Sequence, residues 1–314
     1  MKLTHIQPPK NLPTNIFPQE YWSQRVFRYS ANHERFLEKI HEMEIYEDDV
    51  WLVTLPKCGT TWMQELLWLV MNNYDFQTAK NEHLELRSPF LEFDYLFYQD
   101  FEKAFKPIDT LRRPRLIKTH LCLGLLPAQI WEKKPKIIYV SRSPKDSFVS
   151  EYHFFRQLGY FPPEHTLEEY LKERIEDIHS NEQFDNMMEF YLLKNEPWLY
   201  YTSFERMKAD LRSVIGDVCQ FLNKTIDEDT MQEMLKHLSF EEMKKNPTTN
   251  HYWEIERAHK ERNVSLDGFQ FCRKGKINGY KEEISSDMAK KLDDWVQNKM
   301  AFYNITLDEM LLLK

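Results

Sequence analysis

Residues 48–70, DDVWLVTLPKCGTTWMQELLWLV, set the strongest limit on what this chain can fold into. An apolar, β-branched run reads as a buried strand, stops at Pro56, and gives way after a few polar residues to a pattern of helical period. A strand that runs straight into a helix belongs to an α/β sheet. It also aims the backbone N–H groups of a helix N-terminus at whatever the loop holds, which makes the loop an anion site. Gly59 permits close approach, Thr60 and Thr61 add hydroxyl donors, and Lys57 supplies a point charge. GxxxxGK[ST] is missing and the lysine precedes the glycine, so the loop is not a Walker A sequence.

The runs VWLVTL at 50–55, PRLIKTH at 114–120, KIIYVSR at 136–142 and WLYYTSF at 198–204 alternate with longer segments of helical period. Strand and helix in repeated alternation predict an α/β fold with a central, mostly parallel sheet flanked by helices. In that architecture ligands sit beyond the carboxyl ends of the strands, where Pro56–Trp62, Lys118–His120 and Arg142 fall. Thr166 with Glu169 is a capping box. Residues 207–222 and 285–303 each read as one surface helix packed by its apolar stripe. With 314 residues, 42% apolar content and no evident linker, a single domain over 1–314 is expected.

A formal charge of −8 excludes a general nucleic-acid binder, which needs a basic face. No run of 18 apolar residues occurs, and MKLTHIQPPKNLP lacks a signal peptide's apolar core, so a soluble, cytoplasmic protein that does not bind membranes is expected. Cys58, Cys122, Cys219 and Cys272 lie far apart without metal-ligand spacing, which predicts reduced thiols and no metal. Glycine is scarce, seven in all, and no GxGxxG fingerprint occurs.

Two further stretches read as anion loops. SRSPKDSFVS follows a strand and offers Arg142, with Ser150 eight residues on, and FCRKGKINGYK places Arg273 and Lys274 beside Gly275. Alone, each is an ordinary basic turn. Together with the first loop they imply a ligand carrying at least two separated anionic groups.

TLPKCGTTW resembles the 5′-phosphosulfate loop of the cytosolic sulfotransferases, TYPKSGTTW. SRSPKDSFVSEYHFF is similar to that family's 3′-phosphate motif, RNxKDxxVSxYxF, and RKG to its late phosphate loop. KTHLCLGLLP, RSPFLE at 87–92 and LSFEEMKKNP at 238–247 also resemble family segments, in the family's order from about residue 40 to 281. The cast of the whole resembles an invertebrate member. The resemblance implies a transferase moving a sulfuryl group from 3′-phosphoadenosine 5′-phosphosulfate (PAPS) to a hydroxyl or amine of a small, largely apolar acceptor such as a phenol or steroid. It leaves 3′-phosphoadenosine 5′-phosphate (PAP) and needs no metal. It further implies His120 as general base, with Lys57 and Lys118 on the transferring group. The donor-binding set it implies is Lys57, Cys58, Gly59, Thr60, Thr61, Trp62, Arg142, Ser150, Phe204, Leu238, Phe240, Met243, Arg273, Lys274 and Gly275. In that set Trp62 and Phe240 sandwich the adenine. Phe90, His120 and Phe154 fall on the acceptor side.

Departures from the family pattern bear on each assignment. Cys58 replaces a serine, Phe204 a tyrosine and Leu238 a threonine, so donor affinity is expected to be lower than usual. A thiol at a helix N-terminus beside Lys57 is expected to be reactive and shielded by nucleotide, and Cys58→Ser to tighten nucleotide binding. Gly279 and Tyr280 stand for an Asp-Trp pair, HSNEQFDNMM for the central GSW segment, and KEEISSDMAK lacks the dimer motif, so a monomer or a differently built homodimer is open. The alternatives are a nucleotide-binding member without strong catalysis and a small-molecule kinase. The kinase lacks its Walker A sequence and an evident Mg²⁺ carboxylate. Acceptor choice is assigned to loops such as 86–98 and 153–165. A sulfated allylic alcohol could go on to eliminate, giving net dehydration.

Overall fold

Every apolar run named above becomes a strand. The computed structural model describes residues 2–5, 12, 21, 25–29, 34–92, 108–176, 178–251, 255, 256, 259, 260 and 269–313. Part of the expected acceptor loop 86–98, residues 93–98, lies outside them. In chain order the strands are β1 (Lys2–His5), β2 (Val26–Tyr29), β3 (Val50–Thr54), β4 (Leu116–Thr119), β5 (Lys136–Ser141) and β6 (Leu199–Ser203). The helices used below are α1 (Thr60–Met71), α2 (Pro144–Gln157), α3 (Leu167–Glu176), α4 (Ile178–Leu192), α5 (Phe204–Ala209), α6 (Leu211–Phe221), α7 (Glu228–His237), α8 (Phe240–Lys245) and α9 (Ser286–Tyr303).

The chain divides into two compact units. The first comprises Met1–Leu55, Pro89–Tyr139 and Asp177–Tyr201; the second Pro56–Ser88, Val140–Glu176 and Thr202–Lys314. The final two residues of β5 and of β6 are counted with the second.

The first unit is built on a parallel sheet of order β4-β3-β5-β6. All five residues of β3 are buried, as the apolar run VWLV that opens it requires of an inner strand. Val50 pairs with Leu116 and Val53 with Thr119. Outside β4, residues 89–91 run parallel to it: the Lys118 N–H donates to the Pro89 carbonyl (3.1 Å) and the Leu91 N–H to the Lys118 carbonyl (2.9 Å). These bonds engage backbone groups that an edge strand leaves open. Tyr139 of β5 stacks between Phe190 of α4 and Tyr201 of β6, at 4.2 and 5.7 Å. β1 and β2 form a separate antiparallel pair.

In the second unit α2, α3 and α9 share a core of Phe148, Val149, Tyr152, Tyr170, Leu171, Met288 and Leu292. Thr166 and Glu169 exchange the two hydrogen bonds of the expected capping box at the start of α3. The helix expected over 207–222 is two helices, α5 and α6. The break is Asp210, at φ −150 and ψ 76, whose carboxylate caps α6 by accepting from the Ser213 N–H at 3.0 Å. Aspartate competes with the backbone for such bonds, and here the cap wins over helical continuity. The helix expected at 285–303 forms as α9, capped by Ser285.

α1 is buried nearly all round and carries Glu65 into the interior. That carboxylate takes the Arg87 guanidinium at 2.8 Å and faces His237 Nε2 of α7 at 2.7 Å, while Arg87 lies 4.3 Å from the Trp68 ring centroid. Among the described residues no helix is long and apolar enough to cross a membrane.

Candidate active site

Two groups of the residues singled out in the sequence come together, one in each unit. In the second, the chain leaves β3 through Pro56 and takes left-handed backbone at Lys57 (φ 63) and Gly59 (φ 91). Left-handed backbone costs a lysine energy, and such residues next to right-handed ones turn successive N–H groups into a concave nest for anions. Gly59 caps α1 and offers no side-chain acceptor to the first turn. A Cβ at Gly59 would stand 3.0 Å from Phe204, which explains the glycine by space as well as by φ.

The Lys57 ammonium lies between two phenyl rings, 4.3 Å from the Phe154 centroid and 4.4 Å from that of Phe271. Cation–π attraction at this distance holds a charge in place without neutralising it. Arg142, at the end of β5, donates to the Lys57 carbonyl at 2.8 Å and lies 4.3 Å over the Phe204 ring. Its Nε is buried with no hydrogen-bond partner, a donor held ready in a closed place. Trp62 donates its indole N–H to the Leu238 carbonyl (2.8 Å) and meets Phe204 edge-on. The Leu238 and Met243 side chains are buried, and Phe240 covers Gly275, where a Cβ would come within 2.6 Å of its ring. Ser150 is half-buried on α2.

Cys58 departs from expectation. It is 1% exposed, and burial pushes its thiol up to about 12, against the pull of the Arg142 charge. Desolvation of the thiolate works against the pull of the helix N-terminus and the neighbouring lysine, so the folded protein's thiol is expected to be unreactive. Iodoacetamide at pH 8 is therefore expected to leave Cys58 unmodified in the folded protein, with or without nucleotide, and to label it once urea unfolds the chain. Peptide mapping by mass spectrometry checks this. Rapid labelling of the native protein would show that the thiol is not sequestered.

The late basic loop is anchored to α2. Asp146 accepts from the backbone N–H groups of Asn278 (2.7 Å) and Tyr280 (3.1 Å), so the aspartate of PKDS tethers 278–280 to the helix that follows Arg142. Tyr280, in place of a tryptophan, is buried. Arg273 and Lys274 are both ion-paired, to Glu283 at 2.8 and 2.9 Å.

In the first unit His120 follows β4. Its Nδ1 is 2.7 Å from the Thr54 carbonyl, which can only accept, so Nδ1 carries the hydrogen and the basic lone pair is on Nε2. Phe90 meets the imidazole edge-on at 4.8 Å, and the buried Lys118 places its ammonium 4.5 Å over the same phenyl ring. Glu92 accepts the His120 backbone N–H at 2.8 Å. Burial pushes this carboxyl up to about 7, opposed by that hydrogen bond.

Sequence reasoning missed Glu92, Phe271, Asp146 and His251, whose Nε2 is 3.0 Å from the Thr61 hydroxyl. Asp146, Glu92 and Phe271 stand in stretches quoted above, PKDS, RSPFLE and FCRKGKINGYK, whereas His251 had no signal.

The sulfotransferase domain family model matches residues 47–303, most of the chain. The chain belongs to the sulfotransferase family. As an enzyme of the PAPS-dependent sulfotransferase class, it is 35% identical to the luciferin sulfotransferase of Photinus pyralis over 86% of this chain and 76% of that protein. It is 32% identical to sulfotransferase 1 family member D1 of Rattus norvegicus, over 83% and 86% of the two chains. The sulfotransferase shares its fold with a crystal structure of retinol dehydratase in complex with retinol and PAP. That match has a TM-score of 0.72, 23% identity, and covers 85% of this chain and 86% of that one.

Proposed function

We propose that this sulfotransferase moves the sulfuryl group of PAPS to a hydroxyl or amine of a small, largely apolar acceptor, such as a phenol, a steroid or another alcohol. The observation that carries the reading is the second unit's anion loop: Arg142 with its buried, unpartnered Nε, the nest of Lys57 and Gly59, and two glycines where any Cβ would meet an aromatic ring. A donor with phosphate groups and a flat base fits such residues. Retinol dehydratase and a mouse sulfotransferase were each solved with PAP, which supports the same donor here.

When bound, PAPS supplies an activated sulfuryl group, and the rest falls to this chain. Lys57, with Cys58, Gly59, Thr60 and Thr61, holds the 5′ end through its charge and the loop N–H groups. Lys57 and Lys118 counter the negative charge that grows on the leaving oxygen. Arg142, Ser150, Arg273, Lys274 and Gly275 hold the 3′-phosphate. Trp62 and Phe240 face the base, with Phe204, Leu238 and Met243 around it. His120 takes the acceptor's proton on Nε2, and Phe90 and Phe154 line the acceptor side. The family model runs through both units, which supports one sulfotransferase domain over 1–314. A cytoplasmic location is part of the same proposal.

Label transfer from radioactive PAPS to a panel of phenols and alcohols tests the reading; a protein that binds PAP but transfers no label to any of them would refute catalysis. Arg142→Ala is expected to weaken PAP binding by about 1.5–3 kcal/mol and adenosine 5′-phosphate binding by much less, because a charge-assisted bond to phosphate is lost. Calorimetry with both nucleotides decides, and equal losses would remove Arg142 from the 3′-phosphate.

A further inference from the structure

The basic loop at 273–276 carries its own counter-charge. Glu283 Oε1 lies 2.8 Å from Arg273 and 2.9 Å from Lys274, and its Oε2 lies 2.6 Å from His153 Nε2 on α2. Glu282 reaches Lys274 at 3.1 Å and Lys276 at 3.0 Å. Three cations between Arg273 and Lys276 thus meet two carboxylates.

Glu283 stays ionised here. Burial works against its charge, but Lys274 and Arg273 hold its carboxyl below the usual range. Burial first, and then the Arg273 charge, push His153 down, which favours the uncharged ring beside Glu283. A phosphate arriving at Arg273 and Lys274 has to displace a carboxylate from the same donors or share them with it. Like charges in one site repel, and partners already engaged give less to a newcomer.

We infer that Glu283, assisted by Glu282, is a specificity-determining counter-charge that loosens the loop's hold on the 3′-phosphate of donor and product. This rests on the reading of Arg273 and Lys274 as 3′-phosphate ligands given under the proposed function. A weaker hold lowers the preference for 3′-phosphorylated nucleotides and lets PAP leave sooner, which matters wherever product release limits turnover. The departure is local to the sequence Lys281-Glu282-Glu283 that follows the buried Tyr280.

The test is calorimetric titration of the full chain with PAP and with adenosine 5′-phosphate, for the unaltered protein, Glu283→Gln, Glu282→Gln and Arg273→Ala. Glu283→Gln is expected to tighten PAP binding about two- to fivefold, the scale of a partly exposed charge pair, and to leave adenosine 5′-phosphate unchanged. Glu282→Gln, more exposed and safe for folding, should act in the same direction but less. Glu283→Gln that weakens PAP binding, leaves it unchanged, or tightens both nucleotides equally overturns the inference and assigns Glu283 to loop shape. Arg273→Ala reads the premise separately. A preserved preference for PAP over adenosine 5′-phosphate in that variant removes the loop from the 3′-phosphate, whatever the glutamate variants do.

Discussion

His120→Ala is expected to keep PAP affinity near that of the unaltered protein and to lose turnover by about 10²–10⁴-fold, the usual worth of a positioned general base. The reason is in the hydrogen bonding of the ring. Nδ1–H donates to the Thr54 carbonyl at 2.7 Å, so the imidazole is fixed in the tautomer whose lone pair is on Nε2, and the Phe90 ring edge limits its tilt. A neutral imidazole so held can accept a proton as the acceptor oxygen attacks sulfur, and alanine cannot. The backbone N–H bond to Glu92 survives the substitution, so β4 should keep its end. Single-turnover assays at saturating acceptor, with PAP titrations alongside, separate the two effects. Turnover within a few-fold of the unaltered protein would end the assignment of His120 as base.

Glu65→Ala should cost the fold about 3–5 kcal/mol. Glu65 is fully buried, and its carboxylate is the partner of both Arg87 at 2.8 Å and His237 at 2.7 Å, side chains that are themselves 1% and 5% exposed. Removing one member of a buried ionic cluster leaves an uncompensated charge in a medium that solvates it poorly, which is why such losses exceed those of surface pairs several-fold. Arg87 Nη1 is already buried without a partner, and what remains to the guanidinium are the Glu82 and Ala79 carbonyls, which carry no full charge to balance it. Urea denaturation measures the loss. A replacement that keeps shape and restores neutrality, Glu65→Met with Arg87→Met, should recover much of it, and a double variant as unstable as Glu65→Ala would show that charge is not the cause. Because α1 begins at the anion loop, Glu65→Ala is also expected to weaken PAP binding.

What could be read from the chain in advance was what the chain encodes locally. VWLVT announces a buried strand because its first four positions are apolar, and the residues from Pro56 to Gly59 announce a loop because a helix pattern resumes directly after them. The long-range partners had no such mark. His251 reaches Thr61, and Phe271 reaches Lys57, across some two hundred residues of chain, and nothing in their neighbours' identity predicts the contact. Cys58 was misjudged for a related reason. Its adjacent lysine and helix N-terminus are visible in sequence, whereas the burial that governs the thiol is a property of the packed interior. Asp210 failed differently: the apolar stripe continues through 207–222, but a capping aspartate interrupts the backbone beneath it.

The short stretch hydrogen-bonded along β4 works as a ruler. Pro89, Leu91 and Lys118 fix its register by two backbone bonds, and from that register Phe90 is set beside His120 and Glu92 beneath the His120 amide. Successive residues in extended chain advance about 3.3 Å and alternate sides, so one residue added or lost between Leu91 and Glu92 would take the carboxylate away from the His120 amide while Phe90 kept its place. The number of residues here is thus held more tightly than their kind.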